Sequence, residues 1–306
     1  MKNRLDTHLE SFRKKELRTL SRFISAAENQ DPEMLAVMKG LHRESQSPVI
    51  GFTGPPGAGK SSICNAYVAY LRKMDQSVAV IAVDPMSPFT GGALLGDRIR
   101  LQDHFNDPKV FIRSLSTRGK LGGLSLAARQ VIHLCLFFGF DRCLIETVGV
   151  GQNEVDIRSM ADLTVVVLVP EWGDSVQALK AGLLEIGDIF LVHKADREGA
   201  ERVTSELRGM LEIQGRGECV ILESSIQNRD SLEAVFEACE EFLTKNSERI
   251  KKRRLSWAKL TAEELMDSYL RRECREWMKS VAIPEENPYA FMEKFLKRYP
   301  PGKFFL

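Results

Sequence analysis

The chain of 306 residues carries 43 basic and 42 acidic side chains, a formal charge of +1, with 28% charged and 43% hydrophobic residues. That balance gives no global field for nucleic acid or an anionic bilayer, and the longest apolar run, residues 163–170, is far short of the ~20 residues of a membrane helix. A globular, cytoplasmic protein is expected, with one α/β domain and appended elements, since domains run to ~100–200 residues.

Residues 1–25 mix Lys and Arg with Asp6, Glu10 and Glu16 and lack the apolar stretch of a signal peptide, so they are expected to belong to the mature fold. Residues 1–46 predict a helical preface, because Leu17, Leu20, Phe23 and Ile24 recur at spacings of three and four. From 47 to 246 short Val/Ile-rich runs alternate with helical stretches; strands are expected at 49–53, 78–83, 143–145, 163–169, 188–192 and 219–222. That alternation implies βαβ units and a doubly wound, mostly parallel sheet. Residues 247–306 predict a helical extension. It opens on Arg249 and the basic run from Lys251 to Arg254, and ends in an aromatic segment (Tyr289, Phe291, Phe295, Tyr299, Phe304, Phe305) that must pack on the core or on another subunit. Six cysteines, Cys64, Cys135, Cys143, Cys219, Cys239 and Cys274, show no metal-ligand spacing and are expected to be reduced and mostly buried.

The sharpest motif is Gly54-Pro55-Pro56-Gly57-Ala58-Gly59-Lys60-Ser61, a match to G-x-x-x-x-G-K-[ST] between a predicted strand and a predicted helix, with Ser62 following. A polyphosphate has to be wrapped by backbone N–H groups, which only a side-chain-poor loop brings close. Lys60 is expected to neutralise the outer phosphates and Ser61 to ligate Mg²⁺. Three acids are candidates to complete the metal site: Asp84 at a strand end, Asp97 in a glycine-rich run, and Glu146 after the apolar pair Leu144-Ile145. Glu146 lies three residues before Gly149, the spacing of a γ-phosphate sensor, and Gln152 falls in the switch that would follow.

His193-Lys194-Ala195-Asp196 differs by one residue from the guanine-reading N-K-x-D motif. Asp196 can accept from both guanine N1–H and N2–H, which adenine does not offer. The motif's Asn normally ties the base loop to the phosphate loop, and His193 replaces it with a single ring N–H. Glu223-Ser224-Ser225-Ile226 is expected to form the second base loop, with Ser225 where an alanine is usual. The motifs together predict a GTPase binding GTP/GDP and Mg²⁺.

Six segments in this order, 51–61 (GFTGPPGAGKS), 83–88 (VDPMSP), 90–98 (TGGALLGDR), 122–125 (GGLS), 146–152 (ETVGVGQ) and 180–188 (KAGLLEIGD), resemble the MeaB/MMAA (ArgK) family of P-loop GTPases, over about residues 30–250. The resemblance implies Asp84, Asp97 and Glu146 around Mg²⁺, a third switch at 170–175, and a homodimer held partly by the C-terminal helices. It also implies that GTP hydrolysis gates cofactor loading and protection of a cobalamin-dependent acyl-CoA mutase of the methylmalonyl-CoA mutase type, with no nucleic-acid or membrane partner. Two alternatives share the fold. A metal-inserting GTPase would carry a His-rich tract or a CxxC-like pair, and the sequence has neither; a small-molecule kinase would need an acceptor pocket beside the γ-phosphate.

Overall fold

Val, Ile and Leu runs of five to seven residues, too short for helices and apolar on both sides of the pleat, become the strands of a sheet covered on both faces. In the computed structural model, residues 8–41, 47–84, 102–116, 123–147, 156–170 and 181–280 are described, with Glu293 and Lys297. The strands are β1 (Val49–Thr53), β2 (Val78–Asp84), β3 (Val110–Ser116), β4 (Arg142–Thr147), β5 (Leu163–Leu168), β6 (Ile189–His193) and β7 (Val220–Ser224). They form one sheet in the order β3-β2-β4-β1-β5-β6-β7, and every pairing is parallel.

The helices among the described residues are α1 (Leu9–Arg13), α2 (Leu17–Glu28), α3 (Met34–Leu41), α4 (Lys60–Lys73), α5 (Gly123–Phe138), α6 (Ala181–Ile186), α7 (Ala200–Ile213), α8 (Arg229–Lys245) and α9 (Ser247–Ser280). Two apolar clusters face the two sides of the sheet. One joins α4 and α8 through Ile63, Tyr67, Leu71, Val235 and Phe236; the other gathers α2, α3, α5 and α7. Tyr67 and Phe236 stack with ring centroids 4.6 Å apart, and the Tyr67 hydroxyl donates to Glu240 at 2.8 Å, so the helix carrying the glycine-rich motif is fixed along its length against α8. The chain divides into two compact units, Met1–Trp257 and Ala258–Leu306. No helix among the described residues is long and apolar enough to cross a membrane.

Predicted and observed strands agree to within one or two residues, with one omission. The edge strand β3 was not expected, because its sequence, Val-Phe-Ile-Arg-Ser-Leu-Ser, is half polar. Its Arg113 pairs with Glu28 of α2, which turns a polar edge position into a tether for the N-terminal helices. The six cysteines are all free thiols, four of them buried, as their spacing implies.

At the start of α9 the exposed Lys251 and Lys252 stand beside arginines that turn to buried acids. Asp162 and Asp188 stand immediately before β5 and β6, and their side chains are fully buried. Asp162 accepts from Val49 N at 2.8 Å and Asp188 from Thr164 N at 3.0 Å, so each closes the entry of a neighbouring strand. Arg253 grips Asp188 with both terminal nitrogens at 2.8 and 2.9 Å, Arg249 adds a bond at 2.8 Å, and Arg254 takes Asp162 at 2.8 and 2.5 Å. Three arginines on one helix thus grip the N-terminal ends of the central strands.

Candidate nucleotide site

The parallel order places the C-terminal ends of β1, β2, β4 and β6 along one edge of the sheet, where α/β proteins bind ligands. The chain leaves β1 at Thr53 and turns through Gly54 to Gly59 into α4. Gly54 has φ +135°, and a Cβ there would lie 2.1 Å from the Val167 carbonyl oxygen of β5, so only glycine permits the turn. Gly59 caps α4 with φ +91°, and the first residues of the helix, Lys60 and Ser61, are buried beneath the loop. Pro56, Gly57 and Ser62 are exposed, whereas Pro55 and Ala58 are buried. The Lys60 ammonium donates to the Gly54 and Pro55 carbonyl oxygens at 2.7 and 2.8 Å, holding one fixed cation under the backbone arc.

Strand pairing sets Glu146 of β4 beside Phe52 of β1 and Ala82 of β2. Its buried carboxylate accepts from the Ser61 hydroxyl at 2.5 Å. Next to it the Thr147 hydroxyl donates to Thr53 at 3.1 Å, stitching β4 to β1. Asp84 ends the neighbouring strand β2 and is described by its backbone alone. These are oxygen donors at adjacent strand ends, the hard-ligand chemistry that Mg²⁺ prefers in company with phosphate oxygens and water. No group of three or more His, Cys, Asp or Glu that could hold a metal occurs among the described residues. Behind the loop, burial and the Glu146 carboxylate push the Cys64 thiol well up and keep it protonated, despite Lys60.

The second half of the site comes from the ends of β6 and β7. His193 closes β6 opposite Ser224 of β7 and is 3% exposed, with Nδ1 2.8 Å from the Ser224 hydroxyl. Burial, with the Lys194 ammonium beside it and Asp196 opposing, pushes the imidazole down to about 4, so it is neutral at pH 7. Lys194 has φ +58° and donates to the Gly57 carbonyl oxygen at 2.9 Å, a direct tie between base loop and phosphate loop. Asp196 is exposed and accepts from the Ser225 hydroxyl; Gln227 N in turn donates to Ser225 Oγ at 3.2 Å. Ile226 follows at 53% exposure, and Asn228 caps α8 through Ser231 N at 3.2 Å. The carboxylate that would read a base edge is therefore oriented by the loop that was expected to lie beside it.

Of the site residues expected from sequence, Gly54 to Ser62, Glu146, His193, Lys194, Asp196, Ser224, Ser225 and Ile226 are described and lie at the C-terminal ends of β1, β4, β6 and β7 or in the turns after them. Asp97, Gly149 and Gln152 lie outside the described residues, as do 171–175 of the third-switch segment and the aromatic residues of the C-terminal tail. Sequence reading missed the bond between Ser224 and His193. The signal was a hydroxyl residue at the end of β7 in register with a histidine at the end of β6, visible only once the strands are paired.

Residues 20–276 match the family described as Methylmalonyl Co-A mutase-associated GTPase MeaB. A protein of Pyrococcus horikoshii is 48% identical over 211 residues, covering 69% of this chain and 67% of the relative. The chain thus spans about two thirds of the length of the archaeal relatives it matches. "Fused isobutyryl-CoA mutase" of Cupriavidus metallidurans is 40% identical over 190 residues, 60% of this chain and 17% of that protein. In fold, the crystal structure of an LAO/AO transport system kinase superposes with TM-score 0.68 at 23% identity, over 97% of this chain and 99% of the other.

Proposed function

We propose, from the premise that this chain belongs to the MeaB family of methylmalonyl-CoA mutase-associated GTPases, that it binds GTP with Mg²⁺, hydrolyses it to GDP and phosphate, and thereby gates cofactor loading and protection of a cobalamin-dependent acyl-CoA mutase. The observation that carries the nucleotide part is the meeting, at one sheet edge, of the phosphate loop, the buried Ser61–Glu146 pair, and a base loop tied to the phosphate loop by Lys194. In this reading the backbone of residues 54–59 cradles the phosphates, Ser62 continues the first helical turn, and Lys60 leaves the loop carbonyls for the β and γ phosphates. Ser61, Asp84, Asp97 and Glu146 would hold Mg²⁺, which supplies neutralisation of charge on the phosphate oxygens. Gly149 senses the γ-phosphate, Gln152 moves with the switch, and transfer is to water.

Base choice falls to Asp196. Its carboxylate, with one oxygen engaged by Ser225, keeps lone pairs for guanine N1–H and N2–H. Facing adenine it would lose both donors and meet an acceptor at N1. His193, Lys194, Ser224, Ser225 and Ile226 hold or flank that edge. Calorimetry is expected to show GTP bound in preference to ATP, with Asp196→Asn shifting preference toward xanthosine triphosphate. Equal binding of ATP and GTP would overturn the base assignment.

The partner follows from the family's description and from the mutase polypeptide that contains a segment like this chain. The family resemblance implies a homodimer held partly by residues 247–306. Steady-state phosphate release is expected to rise at least about tenfold when the cognate mutase is added, since docking that orders a switch or supplies a cation acts on the transferring group. A mutase that binds and leaves release unchanged would sink the coupling, and release to an added acceptor in place of water would make the chain a kinase.

A further inference from the structure

A group of guanidinium side chains gathers at the edge of the sheet opposite the nucleotide site, around residues 184–188. Arg158, in a short 3₁₀ helix (Ile157–Ser159) before β5, donates to the Glu185 carbonyl oxygen. Arg216, in the turn between α7 and β7, donates to the carbonyl oxygens of Leu184 and Gly187. From α9, Arg249 and Arg253 reach the Asp188 carboxylate. Four arginines from three separate parts of the chain thus converge on five consecutive residues.

These bonds explain how the groups are oriented but not how much charge they bring. The carbonyls of 184, 185 and 187 lie at the C-terminal end of α6, where orphan acceptors need donors, and any N–H or O–H meets that need. Carbonyl oxygens carry no formal charge. Asp188 is therefore the one acid paired with this group among the described residues, and Arg249 and Arg253 share it, while Arg158 and Arg216 make no ion pair there. Glu185 is exposed and joins no ion pair among the described residues, and the adjacent Arg254–Asp162 pair is balanced within itself. Burial, and then Arg253, Arg249 and Arg216 against the opposing pull of Asp188, hold the Arg158 guanidinium below the ordinary arginine range. Like charges held this close repel, and an anion among them relieves that repulsion.

The groups are also held in place and open to solvent. Arg216 lies over the Phe190 ring at 5.9 Å and Arg249 over Phe242 at 5.7 Å. Arg249 is 47% exposed, and Arg158 and Arg216 are half-buried. Of the five N–H donors on each guanidinium, Arg158 and Arg249 each spend one on a hydrogen bond among the described residues.

We propose that Arg158, Arg216 and Arg249 form a second anion site, at the strand-entry edge of the sheet, for the dianionic group of inorganic phosphate or a small phosphate monoester. Such a group brings about −1.5 to −2 charges near pH 7, whereas a carboxylate brings one, so it matches the unbalanced arginines more closely. The planar fork of arginine also fits phosphate oxygens bidentately. The site does not depend on the guanine-nucleotide reading, because the phosphate loop lies at the other end of the strands.

Calorimetric titration of the full chain with inorganic phosphate, and separately with glycerol 3-phosphate, tests the site. GDP with Mg²⁺ is kept saturating, and chloride holds the ionic strength constant. Wild type is expected to bind with a Kd of about 1 mM or tighter. Arg216→Gln and Arg249→Gln are expected to bind at least about tenfold more weakly, each having lost a charge-assisted contact. Thermal melting verifies folding; where Arg216→Gln does not fold, Arg249→Gln, whose side chain is already half in water, decides. Lys60→Ala marks the phosphate loop. Binding lost in Lys60→Ala and kept within about threefold in the arginine variants would place the ion in the nucleotide site and overturn the proposal. Wild type that binds neither probe beyond the matched chloride control would overturn it as well. With the arginine dependence established, tighter binding of glycerol 3-phosphate assigns the site to a monoester, and tighter binding of phosphate assigns it to the free anion. A chain that binds no GDP sinks the function proposed above, and the same titration of the nucleotide-free chain still decides this site.

Discussion

Lys60→Ala is expected to lower GTP turnover by ~10²–10³ or more, because it removes a cation that is buried beneath the phosphate arc, where electrostatic groups aimed at developing charge are worth that much. The expectation depends on where the lysine is anchored. Its ammonium lies 2.7 and 2.8 Å from the first two carbonyl oxygens of the loop, buried and aligned with the start of α4. It needs only to exchange carbonyl partners for phosphate oxygens. A lysine stabilised by backbone carbonyls also contributes to the loop's own order, so the variant is measured twice. Phosphate release is followed at saturating GTP and at low GTP, and thermal melting verifies that the loop and α4 persist. Loss of turnover with the melt retained assigns the effect to phosphate chemistry. Turnover within about threefold of wild type, far inside the expected loss, would remove Lys60 from the reaction.

Much of this architecture was legible in the chain because the information is local. The Val/Ile runs of β1, β2, β5 and β6 are buried on both faces and declare themselves without partners. The phosphate loop is equally local: Gly54 is needed because Val167 leaves no room for a Cβ, and Lys60 and Ser61 stand where a helix must begin. What was not legible is relational. Ser61 and Glu146 are 85 residues apart, and their hydrogen bond exists only because β4 pairs with β1. β3 was missed because an edge strand tolerates Arg113 and serines that a central strand would reject. The partners of Arg249, Arg253 and Arg254 were not legible, since charged residues on a helix usually face water and the buried acids that claim these three are about 60 to 90 residues earlier. A local trace did exist: Asp162 and Asp188 each precede a valine- or isoleucine-rich strand, and Arg249 and Arg253 are spaced to share one helix face.

That clamp separates stability from nucleotide chemistry, and the separation can be measured. Asp188 stands at the N-terminal end of β6 and His193 at its C-terminal end, so the two are about 16 Å apart along a strand rising ~3.3 Å per residue. Asp188→Ala is expected to destabilise the first unit by ~3–5 kcal/mol, the cost of leaving a buried ion-pair partner uncompensated. Arg253, only 10% exposed, would keep its charge with no carboxylate in reach of both its nitrogens, and Thr164 N would lose its acceptor. Urea unfolding measures the loss as a fall in midpoint at constant slope. Replacing both partners with apolar residues of similar volume, Asp188→Leu with Arg253→Met, is expected to recover most of it, because breaking a buried pair costs far more than removing it whole. The retained Arg249 charge, 47% exposed, can turn to water. GDP affinity of the folded Asp188→Ala protein is expected to stay within about threefold of wild type, since distant sites are usually independent. A loss of stability below about 1 kcal/mol would show that the arginines gain little from burial and behave as surface pairs do. Weakened GDP binding at full stability would instead make the clamp a part of the nucleotide switch, transmitting from the base of the sheet to its ligand edge.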